Sequence, residues 1–258
     1  MNRNIPIVQN LIRNLDTESL KNPEVVANLV RAIGLMRWVH YGMAPETGPE
    51  TLYLNPDGIV AIGQTPDQIA KALVYLSDFE INSYCEIGLY YGGNFWFVSE
   101  YLRRFNPDIQ CVGIDPVDHV SPQIWDIVIS SDWMRVILTT SEEIAGSDFD
   151  LVFIDGNHTT PWLVNDWENV GRHSKICMFH DLQDALWPDV GAFWAGLNGP
   201  KKIEFLDCCR DRATHGIGLI HNTLKTMDAF DYGVDIDTFD FGTPNHFTMK
   251  KTEDKDAS

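Results

Sequence analysis

Tyr84-Cys-Glu-Ile-Gly-Leu-Tyr-Tyr-Gly-Gly93 reads as a strand that stops at a glycine turn and restarts as a helix. Apolar residues lead in, at Ile81, Tyr84, Cys85 and Ile87, and glycines stand at 88, 92 and 93. Asn94 is placed to cap the next helix, and Phe95, Val98, Leu102 and Phe105 continue at helical spacing. A glycine turn between strand and helix lets a ligand approach backbone N–H groups closely.

Working outward, four more short apolar runs follow. Ile109-Gln-Cys-Val-Gly-Ile-Asp115, Asp150-Leu-Val-Phe-Ile-Asp155 and Lys175-Ile-Cys-Met-Phe-His-Asp181 each end in an acid, and Arg135-Val-Ile-Leu-Thr139 lies among them. Such runs, separated by helical or loop stretches, predict parallel strands buried on both faces. Polar residues at their carboxyl ends fit the ligand crevice of an open α/β sheet. Lys202–Cys208 and Gly216–Ile220 are two further strand candidates, placed to close the sheet as an antiparallel pair.

The remaining chain sets the boundaries. Residues 1–64 predict a helical prelude with Val25, Leu29, Ala32, Ile33 and Met36 on one stripe, then a Pro/Gly-rich connection over 45–63. Thr65-Pro-Asp-Gln68 is a helix start, with Ile69, Leu73 and Leu76 on its face. Residues 65–222 are the core domain. Residues 223–258 are an acidic extension whose charged end is too polar to pack.

Composition excludes several classes. An apolar share of 44% in 258 residues is ample for a core. No apolar run reaches membrane-spanning length, and Met-Asn-Arg-Asn-Ile-Pro is no secretory leader, so a cytoplasmic chain without a membrane partner is expected. A net charge of −18 argues against a broad nucleic-acid surface. Of the five cysteines, Cys85, Cys111 and Cys177 fall inside strands, and Cys208-Cys209 has no metal-ligand spacing. Oligomeric state stays open, a homo-oligomer included.

The glycine spacing is G-x-x-x-G-G, not the G-x-G-x-x-G of dinucleotide binders. With Glu86 two residues ahead of Gly88, it resembles motif I of class I S-adenosylmethionine-dependent methyltransferases. Ile62-Gly-Gln-Thr-Pro-Asp-Gln68 resembles a leader in cephalosporin-hydroxylase-like and rhamnosyl O-methyltransferase-like proteins. Asp150–His158 resembles the fourth-strand motif of that group and of macrocin O-methyltransferase-like proteins. Phe179-His-Asp181 with Val190-Gly-Ala-Phe-Trp194 resembles the fifth strand and next helix. Tyr90 and Tyr91 are bulkier than usual in the turn, Asn94 replaces a common serine, and no Gly-Gly precedes strand five. His180-Asp181 stands where some relatives carry two acids.

The resemblance implies a three-layer α/β Rossmann-like methyltransferase fold, mostly parallel with a closing antiparallel strand. It implies S-adenosylmethionine as cofactor and a small hydroxylated acceptor such as a sugar or natural product. Glu86 and Gly88 would lie near the methionine end of the cofactor, Gly92, Gly93 and Asn94 would also line it, and Thr140 and Ser141 would contact the adenine. Asp115 would accept the ribose hydroxyls, as an acid ending strand two does in dinucleotide folds. Ordinary capping explains Glu86, Asp115 and Thr140 or Ser141 in bland terms.

Asp155, His180 and Asp181 end neighbouring strands and can aim at one point. They are candidate ligands for Mg²⁺ or another divalent cation, which would orient a hydroxyl and lower its pKa. Alternatively Asp155 binds the cofactor and His180 is satisfied in the core. His158 is the candidate base for the acceptor proton, with His180 as its rival. Trp162, Trp167, Trp187 and Trp194 lie around the expected acceptor side, most of them as core residues and one or two to shape an acceptor pocket. A nicotinamide-dependent oxidoreductase and a non-catalytic protein of the same fold are the rival readings.

Overall fold

A computed structural model of the chain describes residues 2–35, 60–184, 186–198, 201–206 and 215–222. The elements run α1 (Asn4–Asn14), α2 (Thr17–Leu20), α3 (Pro23–Ile33), α4 (Pro66–Leu76), β1 (Ser83–Ile87), α5 (Gly93–Phe105), β2 (Gln110–Ile114) and α6 (Pro122–Ile129). They continue β3 (Met134–Ile137), β4 (Leu151–Ile154), α7 (Thr160–Asn169), β5 (Ile176–Phe179), α8 (Pro188–Gly196), β6 (Lys201–Phe205) and β7 (Ile217–His221).

The strands form one seven-stranded sheet in the order β3-β2-β1-β4-β5-β7-β6. Pairing is parallel from β3 to β5, while β7 runs antiparallel to both β5 and β6. This is the Rossmann-like methyltransferase architecture expected, and the closing antiparallel pair is present. β6 is Lys201–Phe205 rather than Lys202–Cys208, and Cys208-Cys209 lies outside the described residues. So do most of the connection over 45–63, Met36 and the extension 223–258.

Strand alternation sorts side chains into two layers. Tyr84, Leu151, Phe153, Ile176, Met178 and Leu219 join a core with α1, α3, α4 and α5. Cys85, Ile87, Val152, Ile154, Cys177, Phe179 and Ile220 join another with α7 and α8. Both faces are therefore covered, which is why these strands read as continuous apolar runs. Cys85, Cys111 and Cys177 are buried free thiols, as expected.

The prelude helices lie on the first layer. In α3 the buried residues are Val26, Ala27, Leu29, Val30 and Ile33, while Val25 and Ala32 are only partly covered. The stripe is thus rotated by about one residue from the expected one, and α3 packs against α4. In α4, Ile69, Leu73 and Leu76 are buried as expected. Helix α5 is buried nearly all round from Gly93 to Leu102, with Trp96, Phe97 and Tyr101 joining the expected Phe95 and Val98. It lies between the sheet and α1, and Arg13 reaches over it to Glu100 at 2.9 Å.

Register aligns the strand ends. Ile87 pairs with Ile114 on one side and Ile154 on the other, and Ile154 pairs with Phe179. The next residues, Asp115, Gly88, Asp155 and His180, therefore stand in a row along one edge. Because β7 is antiparallel, it is the residues before it, His215 and Gly216, that reach that edge. Among the described residues, no helix is long and apolar enough to cross a membrane.

Candidate active site

The glycine turn is held from β2. Leu89 and Tyr90 N–H groups donate to Asp115 Oδ2 at 2.9 and 3.2 Å, and Val117 N–H donates to Oδ1 at 2.9 Å. The turn needs its glycine at 88, where φ is +90°. A Cβ there would lie 2.3 Å from the Asp155 carbonyl oxygen. Tyr90 takes the left-handed region at φ 47°, and its ring packs on Tyr91 at 4.1 Å.

Asn94 does not cap α5. The cap position is Gly92, with no side-chain bond, and Asn94 sits in the first turn. Its amide instead donates to Glu86 Oε2 at 3.1 Å, because α5 enters against the face of β1 that carries Glu86. Tyr84 Oη donates to the same oxygen. Glu86 is 1% exposed. Burial pushes its carboxyl up to about 8, against the lowering from these two hydrogen bonds. The Asn94 carbonyl oxygen is buried with no hydrogen-bond partner among the described residues.

After β3, Thr140 Oγ1 donates to Glu142 at 2.7 Å. The Ser141 hydroxyl is buried and donates to Asp166 Oδ1 at 2.6 Å, while Asn165 donates to it at 3.2 Å. The Ser141 hydroxyl is thus already engaged within the protein, and a side-chain contact to a ligand would break that cluster. Burial raises Asp166 to about 7.

The ends of β4 and β5 meet as expected. Donor atoms of Asp155, His158, His180 and Asp181 all lie within 4.8 Å of one another. His180 Nδ1 is 3.0 Å from Asp155 Oδ1 and 3.2 Å from Asp181 Oδ1. His158 Nε2 is 3.4 Å from Asp155 Oδ1 and 3.2 Å from Asp181 Oδ2. Burial lowers the His180 imidazole, but the Asp181 and Asp155 charges outweigh it and bring it up to about 9. Burial raises Asp155 and Asp181, yet the His180 charge and the histidine hydrogen bonds outweigh it and hold both below the ordinary carboxylate value.

Several neighbours were not expected from the sequence. Gln64, 3% exposed, donates Nε2 to Asp155 Oδ2. His215 Nδ1 donates to Asp181 Oδ1 at 2.8 Å, and Asp184 approaches the same nitrogen at 3.5 Å. Of the tryptophans expected on the acceptor side, Trp187 packs 5.3 Å from the His158 ring between centroids, whereas Trp167 and Trp194 are buried in the core.

Residues 85–182 match the family model of a methyltransferase domain. That match, together with this sheet order, supports a methyltransferase domain of the Rossmann-like fold over those residues. The match counts against the nicotinamide reading. No curated protein matches the sequence.

Solved structures share the fold. An S-adenosylmethionine-dependent O-methyltransferase from Thermotoga maritima is 8% identical with a TM-score of 0.50, over 67% of this chain and 71% of that one. The O-methyltransferase TomG from Streptomyces achromogenes, solved with S-adenosylmethionine, is 14% identical with a TM-score of 0.46, over 81% and 100%. The N-methyltransferase NodS from Bradyrhizobium japonicum, solved with S-adenosylhomocysteine, is 12% identical with a TM-score of 0.43, over 58% and 84%.

Proposed function

We propose that this enzyme methylates an oxygen of a small polar acceptor, with the cofactor at the β1 and β2 ends and the acceptor before β4 and β5. The observation that carries the acceptor reading is the convergence of two carboxylates and two imidazoles beside the glycine turn. Acceptors that are sugars or natural-product hydroxyls present vicinal oxygens that such a cluster can recognise.

The residues fit S-adenosylmethionine, which supplies an electrophilic methyl group when bound. The Asn94 carbonyl oxygen, buried and unpartnered among the described residues, suits the cofactor's ammonium. Glu86 lies beside it. Asp115 Oδ1 accepts one backbone N–H and keeps lone-pair capacity for a ribose hydroxyl. Its other oxygen fixes the turn, so Asp115 serves as both turn cap and cofactor contact.

The donor set of Asp155, His180 and Asp181 also fits a divalent cation, since mixed imidazole and carboxylate ligands suit Mn²⁺ or Zn²⁺ and the carboxylates suit Mg²⁺. A bound cation would lower the pKa of an acceptor hydroxyl. His158 is the proposed base. Its Nε2 faces two carboxylates, which fixes the Nε2–H tautomer and leaves Nδ1 basic. His180 is too buried to meet an acceptor, at 4% exposure.

Titration calorimetry tests the cofactor site. Asp115→Ala should weaken S-adenosylmethionine binding by about 1.5–3 kcal/mol, as expected for lost charge-assisted hydrogen bonds. Unchanged affinity would remove Asp115 from the cofactor site. Turnover in excess chelator then tests the cation, with full activity ending that part of the reading.

A further inference from the structure

A second trio of metal-ligating groups stands against the first. Donor atoms of Asp181, Asp184 and His215 lie within 4.8 Å of one another. His215 Nδ1 faces two carboxylates at once, 2.8 Å from Asp181 Oδ1 and 3.5 Å from Asp184 Oδ2. One N–H satisfies one acceptor well, so the Asp184 oxygen at 3.5 Å is poorly served by it. His215 and Asp181 are each 6% exposed, so these groups meet with little water to solvate their charge.

The adjoining His180 adds an independent observation. Its ring lies face to face with that of His215, 5.3 Å apart and 10° from parallel. Its Nε2 is buried and has no hydrogen-bond partner among the described residues. Three carboxylates, Asp155, Asp181 and Asp184, thus gather around three imidazoles. Asp181 touches both groups: its Oδ1 lies near both His215 Nδ1 and His180 Nδ1, at 2.8 and 3.2 Å, and its Oδ2 faces His158. A shared carboxylate is what links paired cations, which in two-metal sites stand about 3.5–4 Å apart.

We infer that Asp181, Asp184 and His215 form a second divalent-cation site, joined through Asp181 to the one proposed above. It deepens that proposal but does not stand or fall with it, because an ion count separates the two. The imidazole in the donor set favours Mn²⁺ or Zn²⁺ over Mg²⁺.

The test uses the full chain, stripped with chelator, loaded with Mn²⁺, dialysed, and counted by elemental analysis. Two ions per chain are expected, with the spin-coupled electron paramagnetic resonance signal of a close pair. Asp184→Asn and His215→Gln should each lower the count to one and abolish the coupled signal. Asp155→Asn should also leave one. Asp184 is half-buried, so its isosteric variant keeps the fold, and thermal unfolding of each metal-free variant checks this. A single ion, or two ions, indifferent to both Asp184→Asn and His215→Gln would overturn the inference while leaving the first site standing. A single ion lost in those variants but kept in Asp155→Asn would uphold the inference and end the first site. No bound ion would end both.

Discussion

His158 Nε2 stands between Asp155 and Asp181, at 3.4 and 3.2 Å. Two acceptors on one nitrogen hold the proton there and turn the ring against Trp187. General-base assistance is typically worth about 10²–10⁴-fold. His158→Ala should therefore lower turnover at least about tenfold while S-adenosylmethionine affinity, measured by calorimetry, stays near wild type. Loss in His180→Ala with a silent His158→Ala would move the role to His180. Asp155, His158, His180 and Asp181 were legible from sequence because parallel strands of known register deliver their following residues to one edge. His215 was not, because it precedes a strand that runs the other way. A reader who takes β7 as antiparallel would look for ligands at its start. Asn94 was misread as a cap because its real partner, Glu86, lies eight residues back across a turn whose angle sequence does not specify.

At the scale of elements, Gly88 ties β1 to β4. Its φ of +90° already excludes most side chains, and an added Cβ would meet the Asp155 carbonyl carbon at 2.6 Å as well as its oxygen. The backbone there has no flexible end to yield. Gly88→Ala should part the two strand ends and destabilise the fold by at least about 2–3 kcal/mol, within the range seen for strained or overpacked sites. Gly146 is the internal comparison. It also has positive φ, +75°, but a Cβ there meets nothing within 4 Å. Gly146→Ala should lose only about 1 kcal/mol, the cost of backbone conformation alone. Denaturant unfolding of both variants measures the difference, and equal losses would show that close approach at Gly88 is unimportant. Strand runs were readable as apolar stretches bounded by acids. The burial of α5 on nearly every side was not, since it depends on α1 crossing its outer surface.

For the whole molecule, buried ionisable groups set how stability changes with pH. Glu86 is raised to about 8 and Asp166 to about 7, so between about 4 and those values the folded chain holds protons that the unfolded chain has released. His180, raised to about 9, does the same above about 6.5. All three contributions are complete below the unfolded pKa and are lost as pH rises through the folded one. Asp155 and Asp181 are lowered, so their contribution is present above about 3.9 and fades in stronger acid. The metal-free protein should therefore melt at steadily lower temperature from pH 5 to pH 9. Glu86→Gln keeps acceptor capacity for Tyr84 and Asn94 and should flatten the part below pH 8. A melting temperature constant over that range, followed by calorimetry in chelator, would contradict this.

The position of β7 also sets an order of assembly during synthesis. It is the last described strand in the chain, yet it lies between β5 and β6 in the sheet. A growing chain that has emerged only as far as β6 leaves β5 as an open edge, and β6 has no described strand to pair with. It also lacks His215. The earlier strands β1 to β5 can pair as they leave the ribosome, N-terminal part first. The trio of Asp181, Asp184 and His215, however, is complete only when the closing strand is in place. A partly made chain thus sets the glycine turn in place before His215 joins Asp181 and Asp184 at the same edge.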